Sequence, residues 1–111
     1  MRYQRFRPRK RPTPGTMNKL ERQYQEHLEL RRIAGEVVRF RYEPIKFRLA
    51  DRTFYTPDFV VTFEDHVECH EVKGFWEDDA RVKTKVVAEL FPEFVFIAVY
   101  QKKKQWVYEE F

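Results

Sequence analysis

The pattern of apolar and polar residues first has the spacing typical of a helix and then the alternation typical of a β-strand. In residues 18–34, apolar side chains recur every four positions, and Gly35 follows as a stop signal. From residue 38 to residue 49, apolar residues alternate with charged ones. This alternation predicts one long strand with a solvent-exposed face, bent at Pro44.

The rest of the chain predicts four more strands and a second helix. These are strands over residues 54–63, 66–73, 94–100 and 106–111 and a helix over residues 79–91. Residues 94–100 are apolar throughout, which is typical of a strand buried on both faces. A strand, a helix and a buried strand in succession predict a parallel pair with a right-handed crossover. The predicted fold class is therefore α/β: a helix, a three-strand meander, a helix, a buried parallel strand and an edge strand.

Length and composition limit the protein to one domain. The chain has 111 residues, of which 42% are hydrophobic, enough for one core and too few for two. No run approaches the roughly 18 apolar residues of a membrane span, and the N-terminus lacks the apolar stretch of a signal peptide. We therefore expect a cytoplasmic protein without a membrane partner. The single cysteine, Cys69, excludes an intramolecular disulfide and is expected in the core.

Positive charge is concentrated at the N-terminus. The net charge is +4, and seven of the 22 Lys and Arg residues lie in residues 1–20, which contain no acid. Prolines and a glycine disfavour packing here, so residues 1–16 are predicted to form a flexible basic arm and residues 17–111 the folded domain. The arm suits contacts with nucleic-acid phosphates, although a tail that only aids solubility has the same composition. Its basic residues are Arg2, Arg5, Arg7, Arg9, Lys10 and Arg11, and a second basic cluster is the predicted turn Lys102, Lys103 and Lys104.

Ionisable residues interrupt the predicted strands at one place. A hairpin that turns at residues 64–65 places Asp58 directly opposite Glu71, and Lys73 lies one pair further along the same face. Cross-strand partners have Cβ atoms about 5 Å apart, so two carboxylates would repel each other unless a cation lay between them. Mg²⁺ prefers carboxylate oxygens, water and phosphate, and Lys73 could stabilise charge growing on phosphorus. A surface ion-pair cluster is the alternative interpretation.

Several segments carry a resemblance to a known family. Pro57-Asp58, Glu71-Val72-Lys73 and the preceding helix resemble the PD-(D/E)xK nuclease superfamily. More narrowly, NKLERQYQEHLELRRIAGEV, EPIKFRL, YTPDF, HEVKGFW and RVKTKVVAELFP resemble a small phage and prophage family related to endonuclease I-type Holliday-junction resolvases. The resemblance covers residues 18–99.

This resemblance implies a restriction-endonuclease-like core and metal-dependent hydrolysis of DNA. It implies Asp58 and Glu71 as ligands of Mg²⁺, with Mn²⁺ as a substitute metal. The backbone carbonyl of Val72 would complete the metal site, and Lys73 would be the catalytic lysine. The setting it implies is the cytoplasm of a bacterium or of a phage-infected host cell.

Two further residues are candidates for the same site. Glu21 matches the acidic residue that the superfamily often supplies from its first helix, but Asn18-x-x-Glu21 is also the spacing of a capping box. Lys83 lies near the middle of an apolar arc of the second helix, so its amine must extend towards a polar site or towards bulk water. The arc consists of Ala80, Val82, Val86, Val87, Leu90 and Phe91.

The main functional hypothesis is an Mg²⁺-dependent endonuclease that cuts branched or structured DNA, as a monomer or homodimer. A second hypothesis keeps the site but assigns it to transposase-type end cleavage or to a replication accessory nuclease. A third is a non-catalytic nucleic-acid-binding protein whose carboxylates only pair with basic side chains. In the main hypothesis, the arm, the turn at residues 102–104 and the strand face with Arg39, Arg41 and Arg48 would contact the DNA backbone.

Deletion of residues 1–15 is expected to weaken DNA binding, because the charge of the arm is separate from the carboxylate site. The slope of log K against log salt should fall by about 0.9 for each phosphate that the shortened chain no longer neutralises. Fluorescence-anisotropy titrations at several salt concentrations measure this slope. An unchanged slope would show that the arm does not touch the DNA.

Overall fold

The computed structural model describes residues 16–74 and 78–111. Its elements are α1 (Lys19–Ile33), β1 (Arg39–Tyr42), β2 (Phe47–Ala50), β3 (Thr53–Tyr55), β4 (Phe59–Thr62), β5 (Val67–Val72), α2 (Asp78–Leu90), β6 (Val95–Lys102) and β7 (Gln105–Glu110). A five-stranded sheet has the order β1-β4-β5-β6-β7, and β2 and β3 form a separate two-stranded sheet. The predicted mixed α/β class is confirmed. Apart from residue 16, the predicted arm lies outside the described residues.

Most of the predicted elements are present. Asn18 is the N-cap of α1, and its side-chain oxygen accepts the backbone N–H of Glu21 at 2.8 Å. The predicted parallel pair is confirmed, since β5 and β6 are parallel neighbours in the sheet and α2 lies between them in the chain. In the part of the chain that the structure describes, neither helix is long and apolar enough to cross a membrane.

The long strand predicted over residues 38–49 is wrong, because this segment contributes to two different sheets. β1 ends at Tyr42, Glu43 adopts a left-handed φ of 50°, and Pro44 has no N–H for a strand ladder. The chain therefore leaves the large sheet, and β2 and β3 pair as a hairpin of their own. The strand predicted over residues 54–63 is divided in the same way between β3 and β4. The predicted meander is thus β1, β4 and β5, with the β2–β3 hairpin inserted after its first strand.

The large sheet separates two hydrophobic clusters. The first cluster, which includes residues of α1, is Tyr24, Leu28, Val37, Phe59, Val61, Val72, Ile97 and Val99. The second cluster, which includes residues of α2 and of the β2–β3 hairpin, is Phe47, Tyr55, Val60, Cys69, Val87 and Phe96. The predicted core position of Cys69 is confirmed, and burial raises the pKa of its thiol to about 12.

The apolar arc predicted for α2 is displaced. Three of its members, Val82, Val86 and Leu90, are exposed, whereas Thr84 and Val87 are buried. The polar side chain of Thr84 can be buried because its hydroxyl donates a hydrogen bond to the Ala80 carbonyl at 2.8 Å. At about 100° per residue, Lys83 therefore flanks the buried stripe instead of lying in its middle.

A chain of hydrogen bonds runs from the core beneath α1 to the surface. The Tyr24 hydroxyl donates to His70 Nδ1 at 2.6 Å, and His70 Nε2 donates to Glu68 Oε1 at 2.8 Å. His66 lies 2.7 Å from Glu68 through Nε2 and 2.7 Å from Asp65 through Nδ1. Because both ring nitrogens of His66 face carboxylates, Asp65 and then Glu68 raise its pKa.

The free energy of unfolding is expected to fall as the pH rises through the pKa of His66. A raised pKa means that the folded state binds this proton more tightly than the unfolded chain does. The contribution of His66 to the free energy of unfolding is fully present below the ordinary histidine pKa of 6.5. It is lost as the pH rises through the pKa of His66 in the folded state. His66→Gln should remove this component, as measured by urea unfolding between about pH 6 and pH 9.

His27→Gln is the matched control. Burial and then the charge of Arg31 lower the pKa of His27, so its protonation opposes folding and its contribution has the opposite sign. Parallel stability profiles for the wild type and His66→Gln would mean that His66 is not linked to folding.

Candidate active site

The ladder between β4 and β5 sets the position of the candidate site. It pairs Phe59 with His70 and ends with Thr62 opposite Val67, which is the predicted register. The next pair in this register is Asp58 and Glu71. Asp58 follows a buried proline and lies where the chain passes from the β2–β3 hairpin into the large sheet.

Asp58 is a buried carboxyl group with negative neighbours. Its residue is 7% exposed, and its Oδ2 accepts the backbone N–H of Val72 at 2.7 Å. Burial, followed by the negative charges of Glu71 and Glu21, raises its pKa well above the ordinary value, against the effect of the Val72 hydrogen bond. Burial therefore makes the charged form of Asp58 costly, and a cation bound beside the carboxylate would offset this cost.

Glu71 has two partners on the side of the second hydrophobic cluster. Its Oε1 accepts the Tyr55 hydroxyl at 3.1 Å, and its Oε2 lies 3.2 Å from Lys73 Nζ. Burial and then the charges of Glu71 and Asp58 raise the pKa of Tyr55, which keeps this hydroxyl a neutral donor. The two oxygens of Glu71 are thus oriented by a hydroxyl and an ammonium group.

Glu21 reaches the same place from α1. Its Oε1 accepts the backbone N–H of Asn18 at 3.0 Å, which completes the capping box, and the Tyr42 hydroxyl at 3.0 Å. Its residue is 8% exposed and close enough to Asp58 to raise the pKa of that group. The two interpretations of Glu21 are therefore compatible, since the same carboxylate caps α1 and lies beside Asp58.

Two tyrosines of the site could not be identified from the sequence. Tyr42 and Tyr55 both lie in alternating strand segments, where an aromatic residue predicts only a packed face. Their roles depend on tertiary contacts, since Tyr42 bonds Glu21 and Tyr55 bonds Glu71. The only local signal is the position of Tyr55 directly before Thr-Pro-Asp.

The first half of α2 and the predicted basic turn lie near this end of the sheet. Thr84, next to Lys83, interacts with the Tyr55 hydroxyl, so the first half of α2 lies near Glu71. Contact between Lys83 and the carboxylates stays a prediction. The predicted basic turn at residues 102–104 is confirmed. Because β5 and β6 are parallel, with Val72 opposite Val99, this turn extends beyond the sheet end that carries the carboxylates.

The three carboxylates could contribute to a cation site, although each of them already has a protein partner on at least one oxygen. Within residues 16–74 and 78–111, no three His, Cys, Asp or Glu side chains are arranged as a metal-binding group. Asp58 bonds Val72, Glu71 bonds Tyr55 and Lys73, and Glu21 bonds Asn18 and Tyr42. The donor set nevertheless suits a hard cation, because buried anionic oxygens lie side by side.

Comparison with models of protein families, with curated proteins and with solved structures found no match. Function is therefore inferred from the geometry of this site and from the resemblance of its sequence motifs.

Asp58→Asn is expected to raise the melting temperature at neutral pH in the presence of a chelator. The amide can still accept the Val72 N–H, and the repulsion from Glu71 is removed. Opposed like charges cost about 0.2–1 kcal/mol, or roughly 1–8 °C in a domain of this size. The raised pKa of Asp58 makes the wild type lose stability as the pH rises above 3.8, so the difference should shrink towards that pH.

Asp65→Asn is the control, and its expected change in melting temperature has the opposite sign. The hydrogen bond from His66 lowers the pKa of Asp65, so this substitution should lower the melting temperature at neutral pH. A lower melting temperature for Asp58→Asn as well would contradict the unfavourable burial of Asp58.

Proposed function

We propose that the chain is an Mg²⁺-dependent endonuclease that hydrolyses phosphodiester bonds in branched or structured DNA. The observation that carries this proposal is the convergence of buried Asp58 with Glu71 and Glu21 at one end of the sheet, beside Lys73. A purely structural sheet end has no need of three neighbouring carboxylates, because each buried charge opposes folding. The motif resemblance assigns the same four residues to a PD-(D/E)xK site.

A restriction-endonuclease-like core is part of the proposal. Its support is the order of elements: α1, the antiparallel strands β1, β4 and β5, then α2 and the parallel strand β6. In this arrangement the sheet supplies Asp58 and Glu71, and α1 supplies Glu21 from the other layer. A phage or prophage origin and a cytoplasmic setting follow only from the resemblance.

Asp58, Glu71 and the backbone carbonyl of Val72 would hold Mg²⁺ or Mn²⁺, and Glu21 would be a further carboxylate. A bound metal would supply Lewis-acid polarisation of the phosphate and would lower the pKa of a water molecule. Lys73, which now pairs with Glu71 at 3.2 Å, would interact with negative charge on the phosphate. Tyr55 and Tyr42 would orient the carboxylates of Glu71 and Glu21.

Positive charge around this end of the sheet supports DNA as the partner. The arm is attached at Thr16, whose carbonyl accepts the Tyr42 hydroxyl at 3.3 Å, and this hydroxyl also contacts Glu21. The exposed turn at residues 102–104 extends beyond the same end. Basic residues of the turn, and an arm that enters the domain at Thr16, would hold a polyanion close to the carboxylates.

A non-catalytic nucleic-acid-binding protein is the alternative that a specific observation favours. Each of the three carboxylates already has a protein partner on at least one oxygen, and Lys73 Nζ lies 3.2 Å from Glu71 Oε2. Transposase-type end cleavage and an accessory nuclease of replication share the proposed site and differ only in the DNA that is cut.

Incubation with four-way junction, flap and linear DNA should give cleavage of branched substrates with Mg²⁺ and none with a chelator. Asp58→Asn and Glu71→Gln should lose nearly all cleavage, and Lys73→Met should lose at least about 100-fold. Glu89→Gln and Lys85→Met, which remove exposed charges of α2, are the matched controls and should cut normally. Lys83→Met should reduce cleavage only if the amine reaches the cluster.

Mg²⁺ binding provides an independent measurement. At about ten times its dissociation constant, the ion should stabilise the wild type by about 1.4 kcal/mol and Asp58→Asn much less. Equal responses of the two proteins, or cleavage that persists in chelator, would reject the metal-dependent nuclease. DNA binding without cleavage of any substrate would support the non-catalytic alternative.

A further inference from the structure

The β2–β3 hairpin has one apolar face and one face with cations and an aromatic ring. Phe47 and Tyr55, which are 5% and 6% exposed, belong to the second hydrophobic cluster. The intervening positions Lys46 and Arg48 are exposed, and Phe54 is half-buried opposite Arg48 in the ladder. We name the surface of Lys46, Arg48 and Phe54 the hairpin platform.

We propose that the hairpin platform binds a nucleic-acid strand, with phosphates on Lys46 and Arg48 and an unpaired base stacked on Phe54. This proposal deepens the proposed function, on which it rests for the choice of DNA as the partner. It identifies the surface that receives a single-stranded segment of a branched substrate.

The first support is the environment of the Phe54 ring. Lys46 Nζ lies over this ring at 4.5 Å from its centroid. The ring face is therefore covered by an ammonium group at the end of a long, exposed side chain. A nucleobase can occupy this position while the ammonium moves to a phosphate, which is how single-strand binding surfaces combine cations with aromatic rings.

The second support is the local charge. Residues 39–52 contain five Lys and Arg residues and two acids, whereas residues 16–111 contain 16 bases and 18 acids. Arg41 pairs in the ladder with Val60, a member of the second hydrophobic cluster, so β1 directs Arg41 and Arg39 to the hairpin side of the sheet. The platform thus lies in a basic region of an otherwise slightly acidic domain.

The third support is the continuity of the platform with the carboxylates. Phe54 precedes Tyr55, whose hydroxyl donates to Glu71. It is also four residues before Asp58, so the two Cα atoms are at most about 14 Å apart. A strand held on the platform therefore lies within a few nucleotides of the candidate active site.

Binding measured in chelator tests the platform without any need for cleavage. A labelled single-stranded oligonucleotide is compared with the same sugar–phosphate backbone without bases, using fluorescence anisotropy and the full chain. Phe54→Ala should weaken binding of the intact oligonucleotide by about 5- to 150-fold and leave the abasic one unchanged. Phe54→Tyr should bind like the wild type, and Phe54→Leu, which keeps apolar bulk without a π-face, should behave like Phe54→Ala.

The roles of Lys46 and Arg48 are tested by the salt dependence of oligonucleotide binding. The double variant Lys46→Gln, Arg48→Gln should lower the slope of log K against log salt by about 0.7 for each phosphate that it no longer neutralises, with both oligonucleotides. Arg32→Gln is the control, because Arg32 is an exposed arginine of α1 paired with Glu29 outside the platform. It should leave the slope unchanged.

Three results would contradict nucleic-acid binding at the hairpin platform. They are no loss of affinity in Phe54→Ala, an equal loss with intact and abasic oligonucleotides, and competition by poly-glutamate as strong as by the oligonucleotide. If platform variants bind normally while Asp58→Asn still abolishes cleavage, the platform fails and the endonuclease stands. If base-dependent binding is lost in Phe54→Ala but the wild type never cleaves, the platform stands and the endonuclease fails.

Discussion

The antiparallel pairing of β4 with β5 is the constraint on which the rest of the structure depends. Its register directs Phe59 to the cluster beneath α1 and Val60 to the cluster beneath α2, so a shift by one residue would exchange the two faces. The same register makes Asp58 and Glu71 the next pair after the ladder. One set of backbone hydrogen bonds thus determines both the hydrophobic core and the carboxylate cluster.

The carboxylate cluster of Asp58, Glu71 and Glu21 opposes folding, and the surrounding hydrogen-bond donors partly offset this cost. Three carboxylates close together in a buried place repel one another, and burial itself disfavours their charge. The Val72 N–H, two tyrosine hydroxyls and Lys73 each stabilise one of them. These donors come from different elements, which ties α1 and the β2–β3 hairpin to the end of the sheet. A bound cation would replace repulsion by attraction, so cation binding at this site would raise stability.

Sequence patterns were sufficient for the elements whose contacts are local. Helix α1, the crossover unit and the β4–β5 register follow from periodicity, caps and one short turn. The β2–β3 hairpin could not be predicted, because the alternation of residues 38–49 continues across a break that depends on the left-handed Glu43 and on Pro44. Likewise, the buried face of α2 depends on the hydrogen bond of Thr84 within its own helix. The hydrogen bond between Tyr24 and His70 joins residues 46 positions apart, and no local pattern encodes it.

The inserted hairpin gives one short segment two physical roles. Its apolar face must pack on α2 and β6, which fixes Tyr55 and therefore the orientation of Glu71. Its other face is free of that packing requirement, since strand residues alternate between the two faces. The presence there of Phe54 among cations is consequently not explained by the core. Because both faces belong to the same two strands, a ligand that orders the outer face would also restrain Tyr55. Binding on the proposed platform would thereby be coupled to the geometry of the carboxylates through a few covalently linked residues.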